Sequence, residues 1–123
     1  MDTTARAAVA GLLLFLVFLT GIWLSRRGRP LNVGISTLHK LVGLAAGVLL
    51  LVIIYQRNRV VPLDAAEWIA IVVTSLCFLG TVVSGALLTS DDPMPVAVLR
   101  VHQVVPVLTA LSSGATLYLL LGL

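Results

Sequence analysis

Four apolar runs, each long enough to cross a lipid bilayer, decide what this chain of 123 residues can fold into. A spanning helix needs about 20 mostly apolar residues to cross a hydrocarbon core about 30 Å thick. Runs of that kind occupy residues 5–24, 34–55, 64–88 and 96–122, and only short polar connections separate them. Lipid offers backbone amides no hydrogen-bond partners, so such segments cross as helices whose bonds are internal. The expected fold class is all-α: an integral membrane four-helix bundle, up-down-up-down, making one transmembrane domain over residues 1–123. Composition agrees, since 59% hydrophobic and 11% charged residues, with a mean hydropathy of +1.12, lie far from a soluble globular domain.

The boundaries follow from charge and chain chemistry. Ser25-Arg26-Arg27-Gly28-Arg29-Pro30 ends the first helix, because charge, glycine and proline together oppose its continuation. The second helix is expected to stop at Tyr55, before Gln56-Arg57-Asn58-Arg59. Asp64 with Glu67 three residues on has the pattern of a capping box at the start of the third. A turn at Thr89-Ser90-Asp91-Asp92-Pro93-Met94-Pro95 precedes the fourth, which extends towards Leu123. No internal repeat stands out. The first apolar run follows Arg6 as a signal sequence would, but it is long and lacks a small-residue cleavage pattern before Arg26, so it reads as a retained helix.

The net charge of +3 arises from eight basic and five acidic residues placed mainly in the connections, where they hold helix ends at the headgroups. Nucleic acid is not an expected partner; the lipid bilayer is. A single cysteine, Cys77, excludes an internal disulfide and a multi-cysteine metal site. The side bearing Arg26, Arg27, Arg29, Lys40 and Arg100 outweighs the side bearing Arg6, Arg57 and Arg59, which favours the former as cytoplasmic in a multi-pass plasma-membrane protein.

The two histidines, His39 and His102, are the chemistry-bearing residues of the spans. Short connections make alternate helices parallel, so helices 2 and 4 start at the same face. The histidines then lie ~7 Å and ~10 Å from those starts, at a rise of 1.5 Å per residue. An ionisable group in a bilayer is costly without a partner, and a neutral imidazole offers a lone pair suited to iron. One b-type haem held by His39 and His102 as axial ligands satisfies both requirements and makes the iron six-coordinate, suited to electron transfer. A pair of hydrogen-bonded histidines that only helps the helices associate is the simpler alternative.

Several residues fit space beside a flat macrocycle. Gly43 and Gly47 continue the His39 stripe at i+4 and i+8, Pro106, Thr109 and Ser113 follow His102, and Cys77, Gly80, Ser84 and Gly85 form a run of small residues on helix 3. Ordinary close helix packing would use the same glycines. Lys40 and Arg100 stand where propionates would emerge, although snorkelling to lipid phosphates also accounts for cations at that level. Cys77, near mid-membrane, is either a small core residue or a contact to the porphyrin edge.

The stretch Leu38-His39-Lys40-Leu41-Val42-Gly43, continuing through Leu44-Ala45-Ala46-Gly47-Val48-Leu49-Leu50, resembles the second-helix motif of bacterial cytochrome b561 proteins. That resemblance implies a four-helix membrane cytochrome exchanging electrons with quinone or superoxide, with His39 matching the helix 2 ligand and His102 resembling its helix 4 partner. The family carries two haems on four or more histidines, whereas helix 1 here has none and helix 4 has none after His102. One haem is therefore the expected complement, and a quinone, a redox partner protein or a homodimer would have to complete a route across the membrane.

Two other functions fit the same composition. A haem-carrying membrane anchor subunit of a larger respiratory or redox complex would place the activity in its partner, leaving open whether the chain itself acts as an oxidoreductase. A small multidrug-type transporter has similar size and helix count, but it depends on a carboxylate in helix 1, and Ala7 to Leu24 contains none.

Overall fold

The computed structural model describes residues 2–90 and 92–122, which places Asp91 of the expected turn and Leu123 outside the described residues. It is all-α: α1 spans Thr3–Arg27, α2 Val33–Val60, α3 Ala65–Leu88 and α4 Val96–Leu121. At 1.5 Å per residue these helices are about 36 to 42 Å long, and all four are apolar enough to cross a membrane. The chain is a multi-pass integral membrane protein. Its helices form two compact units, the α1–α2 hairpin over Met1–Val60 and the α3–α4 hairpin over Val61–Leu123.

Several helix ends have a local cause. Asp2 caps α1 by accepting from the Ala5 amide at 2.7 Å, and Gly28, at φ 69°, turns the chain out of α1. The side chain of Asn32 accepts from the Ile35 amide at 3.0 Å at the start of α2. At α3 the expected capping box is complete: the Glu67 amide donates to Asp64 Oδ1 at 2.8 Å, and the Asp64 amide donates to Glu67 Oε2 at 3.0 Å. Gly122, at φ 66°, ends α4.

Two boundaries differ from the sequence expectation by three residues or more. Helix α1 continues three residues past Leu24 to Arg27, and α2 continues from Tyr55 to Val60. Arginine, glutamine and asparagine leave the lipid without leaving the helix, because none of them lacks an amide hydrogen or forces a left-handed backbone. Basic residues in a last turn also suit the negative end of the helix dipole. The Arg59 guanidinium lies 5.9 Å from the centre of the Tyr55 ring, one turn back on the same helix.

Burial is inverted relative to a water-soluble protein. Leu12, Phe15, Leu44, Leu51, Ile69, Leu76 and Leu111 are all more than half exposed, as lipid-facing side chains should be. Among the described residues, the buried polar or charged side chains (eight) outnumber the buried hydrophobic ones (seven), and six of the eight are Thr20, Thr74, Ser84, Thr109, Ser113 and Thr116. Small hydroxyl side chains let helices approach closely and bond across the contact, which lipid tails cannot do. In the second hairpin Thr74 bonds Thr116 at 2.9 Å and Thr81 bonds Thr109 at 3.0 Å. The partner number on α4 falls as the number on α3 rises, so the two helices are antiparallel.

Candidate functional site

Each hairpin carries one histidine, and the two are built alike. His39 lies six residues beyond the start of α2, and His102 lies six residues beyond the start of α4. In the first hairpin, His39 Nδ1 is 3.1 Å from the hydroxyl of Thr20 on α1. In the second, His102 Nδ1 is 2.8 Å from the hydroxyl of Ser84 on α3. Both hydroxyls belong to buried residues, and both imidazoles are half-buried.

A glycine follows each hydroxyl residue and admits the ring. A Cβ placed on Gly21 would stand 2.9 Å from His39 Cε1, and a Cβ placed on Gly85 would stand 2.9 Å from His102 Cε1. Carbon atoms rest at about 3.5–4.0 Å, so no larger residue fits either position while the imidazole stays in place. Thr20-Gly21 with His39, and Ser84-Gly85 with His102, are thus corresponding sets. Four residues beyond the histidines come Gly43 and Pro106, each following a valine. The correspondence is one of local geometry rather than of a repeated sequence. It escapes notice because the hydroxyl and the histidine are 19 residues apart in one hairpin and 18 in the other.

The remaining candidate residues fall into distinct surroundings. Ser84 was expected beside a cofactor, but its hydroxyl bonds the His102 ring, so it touches the candidate ligand itself. Gly80 packs against α4: an added Cβ there would lie 3.4 Å from Val105 Cγ1. A Cβ on Gly43 would meet nothing within 4 Å, so packing against α1 does not account for that glycine. Gly11 and Gly114 are equally open, and what distinguishes Gly43 is its place one turn beyond His39. Gly47 is half-buried one turn further along, and Pro106 is half-buried within α4.

Thr109 is occupied by α3 through Thr81, and Ser113 is buried. Cys77 is a free, half-buried cysteine whose backbone carbonyl accepts from the Thr81 hydroxyl at 2.9 Å. Lys40 and Arg100 are exposed next to the histidine turns, and the Arg100 guanidinium approaches Gln103 Oε1 at 3.4 Å.

Among the described residues no three histidine, cysteine, aspartate or glutamate side chains gather where they could hold a metal ion. Thr20 and Gly21 were missed by sequence reasoning. The available signal was a Thr-Gly pair at the far end of the preceding helix, matched by Ser-Gly ahead of His102. Comparison with protein-family models, with curated proteins and with solved structures finds no match to this chain.

Proposed function

We propose that this chain is a membrane b-type cytochrome that holds one haem b through His39 and His102 and passes electrons. The observation that carries the reading is the matched pair of imidazoles. Each is anchored through Nδ1 to a buried hydroxyl on the preceding helix, at the same distance into its own helix, and in this reading Nε2 is the nitrogen that would meet the metal. Metal-ligating histidines commonly have the other ring nitrogen fixed in this way. When bound, the haem supplies one-electron exchange between ferric and ferrous iron. Thr20 and Ser84 orient the rings, Gly21 and Gly85 make room for them, and Gly43 leaves the turn after His39 open beside a ring plane. Cys77, Gly47, Gly80 and Pro106 are further lining residues in this reading, and Lys40 and Arg100 face the propionates.

The likeness of the Leu38–Gly43 segment to cytochrome b561 proteins supports the same assignment. The histidines sit near the α1–α2 and α3–α4 connections, and the arginines of the first connection favour the cytoplasmic side of the plasma membrane. A single haem near one face leaves roughly 20 Å of a hydrocarbon core about 30 Å thick uncrossed. A quinone, a redox partner protein or a second copy of the chain completes the route.

The test is an absorption spectrum of detergent-extracted protein from haem-replete cells. The expected result is a sharp low-spin spectrum with split visible bands on reduction, abolished or made five-coordinate by His39→Ala and by His102→Ala. A colourless preparation would sink the proposal and leave two hydrogen-bonded histidines that join helices. Co-purification of the haem-bearing chain with a larger soluble subunit would make it the anchor of a complex rather than a self-contained carrier.

A further inference from the structure

Each of the two hydroxyls stands between an imidazole nitrogen and a carbonyl of its own helix. Thr20 Oγ1 lies 2.7 Å from the Leu16 carbonyl and 3.1 Å from the Val17 carbonyl, and Ser84 Oγ lies 3.1 Å from the Thr81 carbonyl. A carbonyl oxygen can only accept, and a hydroxyl has one hydrogen, so a hydroxyl that donates to its own helix backbone has none left for the imidazole. Such a hydroxyl offers the histidine a lone pair. Nδ1 must then be the protonated nitrogen, and Nε2 keeps its lone pair.

We infer that Thr20 and Ser84 are positioning residues that fix His39 and His102 in the Nδ1–H tautomer and raise the basicity of Nε2. The inference rests on the cytochrome reading for its redox consequence but not for the tautomer, which belongs to the polypeptide alone. A free histidine side chain favours the proton on Nε2, so the hydroxyls reverse the intrinsic preference at both sites. A chain of hydrogen bonds from imidazole to hydroxyl to backbone carbonyl polarises each member and strengthens the first. A more basic axial nitrogen stabilises ferric over ferrous iron, which lowers the potential.

The isosteric change Thr20→Val keeps the volume and removes the lone pair. Its effect should be a rise in the ferrous-to-ferric affinity ratio on the order of tenfold, which is about 59 mV upward for a one-electron couple. Ser84→Ala should act in the same direction, and Thr20→Ser should restore the original potential. A residue that merely packs would give Thr20→Val and Thr20→Ser the reverse ranking, since valine preserves the shape and serine does not.

The experiment uses full-length protein in detergent, first without haem and labelled with nitrogen-15 in histidine. Two pyridine-type Nε2 signals are expected in the unmodified chain, with Thr20→Val returning His39 to the Nε2–H form. Nε2–H at both histidines in the unmodified chain overturns the inference whatever the protein does with haem. Nδ1–H signals in a protein that never takes up haem would uphold the tautomer assignment and remove the cytochrome reading, so the two failures are distinct. In the haem-loaded protein, equal potentials for Thr20→Val and the unmodified chain would overturn the tuning role.

Discussion

Replacing Gly21 with alanine adds one methyl group and should dislodge a histidine from a different helix. The new Cβ would lie 2.9 Å from His39 Cε1, 3.4 Å from Nδ1 and 3.7 Å from Nε2. Carbon atoms rest at about 3.5–4.0 Å, so the ring must retreat by at least about 0.6 Å. Thr20 stays behind, since it is the neighbouring residue on α1, and its 3.1 Å bond to Nδ1 is already near the long end of the useful range. The retreat breaks that bond, which costs about 1 kcal/mol, and forces the ring off its rotamer for about 0.5–1.5 kcal/mol more. At 1.4 kcal/mol per tenfold, a loss of about 1.5–2.5 kcal/mol should weaken the proposed haem binding about 10- to 60-fold. The measurement is titration of haem into haem-free protein in detergent, followed at the Soret band, with Gly11→Ala as the control because a Cβ there meets nothing within 4 Å. Identical titrations for Gly21→Ala and Gly11→Ala would refute the geometry that ties Gly21 to the histidine.

The second hairpin should respond to Gly85→Ala as the first does to Gly21→Ala, since the added Cβ again falls 2.9 Å from an imidazole Cε1. Gly43→Ala should leave thermal unfolding of the haem-free protein unchanged, because the site is open, yet lower haem affinity at least about tenfold if a macrocycle lies one turn beyond His39, a cost of about 1.4 kcal/mol. Thr116→Val removes the partner of the buried Thr74 hydroxyl and should cost about 1–3 kcal/mol in denaturant unfolding followed by circular dichroism. The double variant Thr74→Val with Thr116→Val should recover most of that loss. Asp64→Ala dismantles the capping box and should cost about 1 kcal/mol, read as earlier fraying of α3 in amide exchange at Ala66 to Trp68.

The spans were legible because lipid imposes a composition that water never does, and the capping box was legible because Asp64 and Glu67 act within one turn. The ends of α1 and α2 were less so. Charged residues such as Arg26 and Arg57 mark where a helix leaves the hydrocarbon, which is not where its hydrogen bonds stop. The histidines announced themselves by their cost in lipid, and their helix depths, read as ~7 and ~10 Å, come out equal once the true helix starts are known. What the sequence hid was the other half of each site. Thr20-Gly21 looks like any close-packing pair in an apolar helix, and only the folding back of α2 along α1 brings it to His39. Ser84 was noticed for its size, whereas its hydroxyl is what meets the His102 ring.

Thr109 and Thr116 follow His102 at steps of seven, and their partners Thr81 and Thr74 are also seven apart. A straight α-helix drifts by about 20° over each such step, little enough that His102 and the two threonines keep to one face of α4. The rungs therefore act as a rotational stop for the ring of His102, set from deep within the bilayer. One extra residue between positions 102 and 109 would swing that imidazole through about 100° while leaving the greasiness of the span untouched.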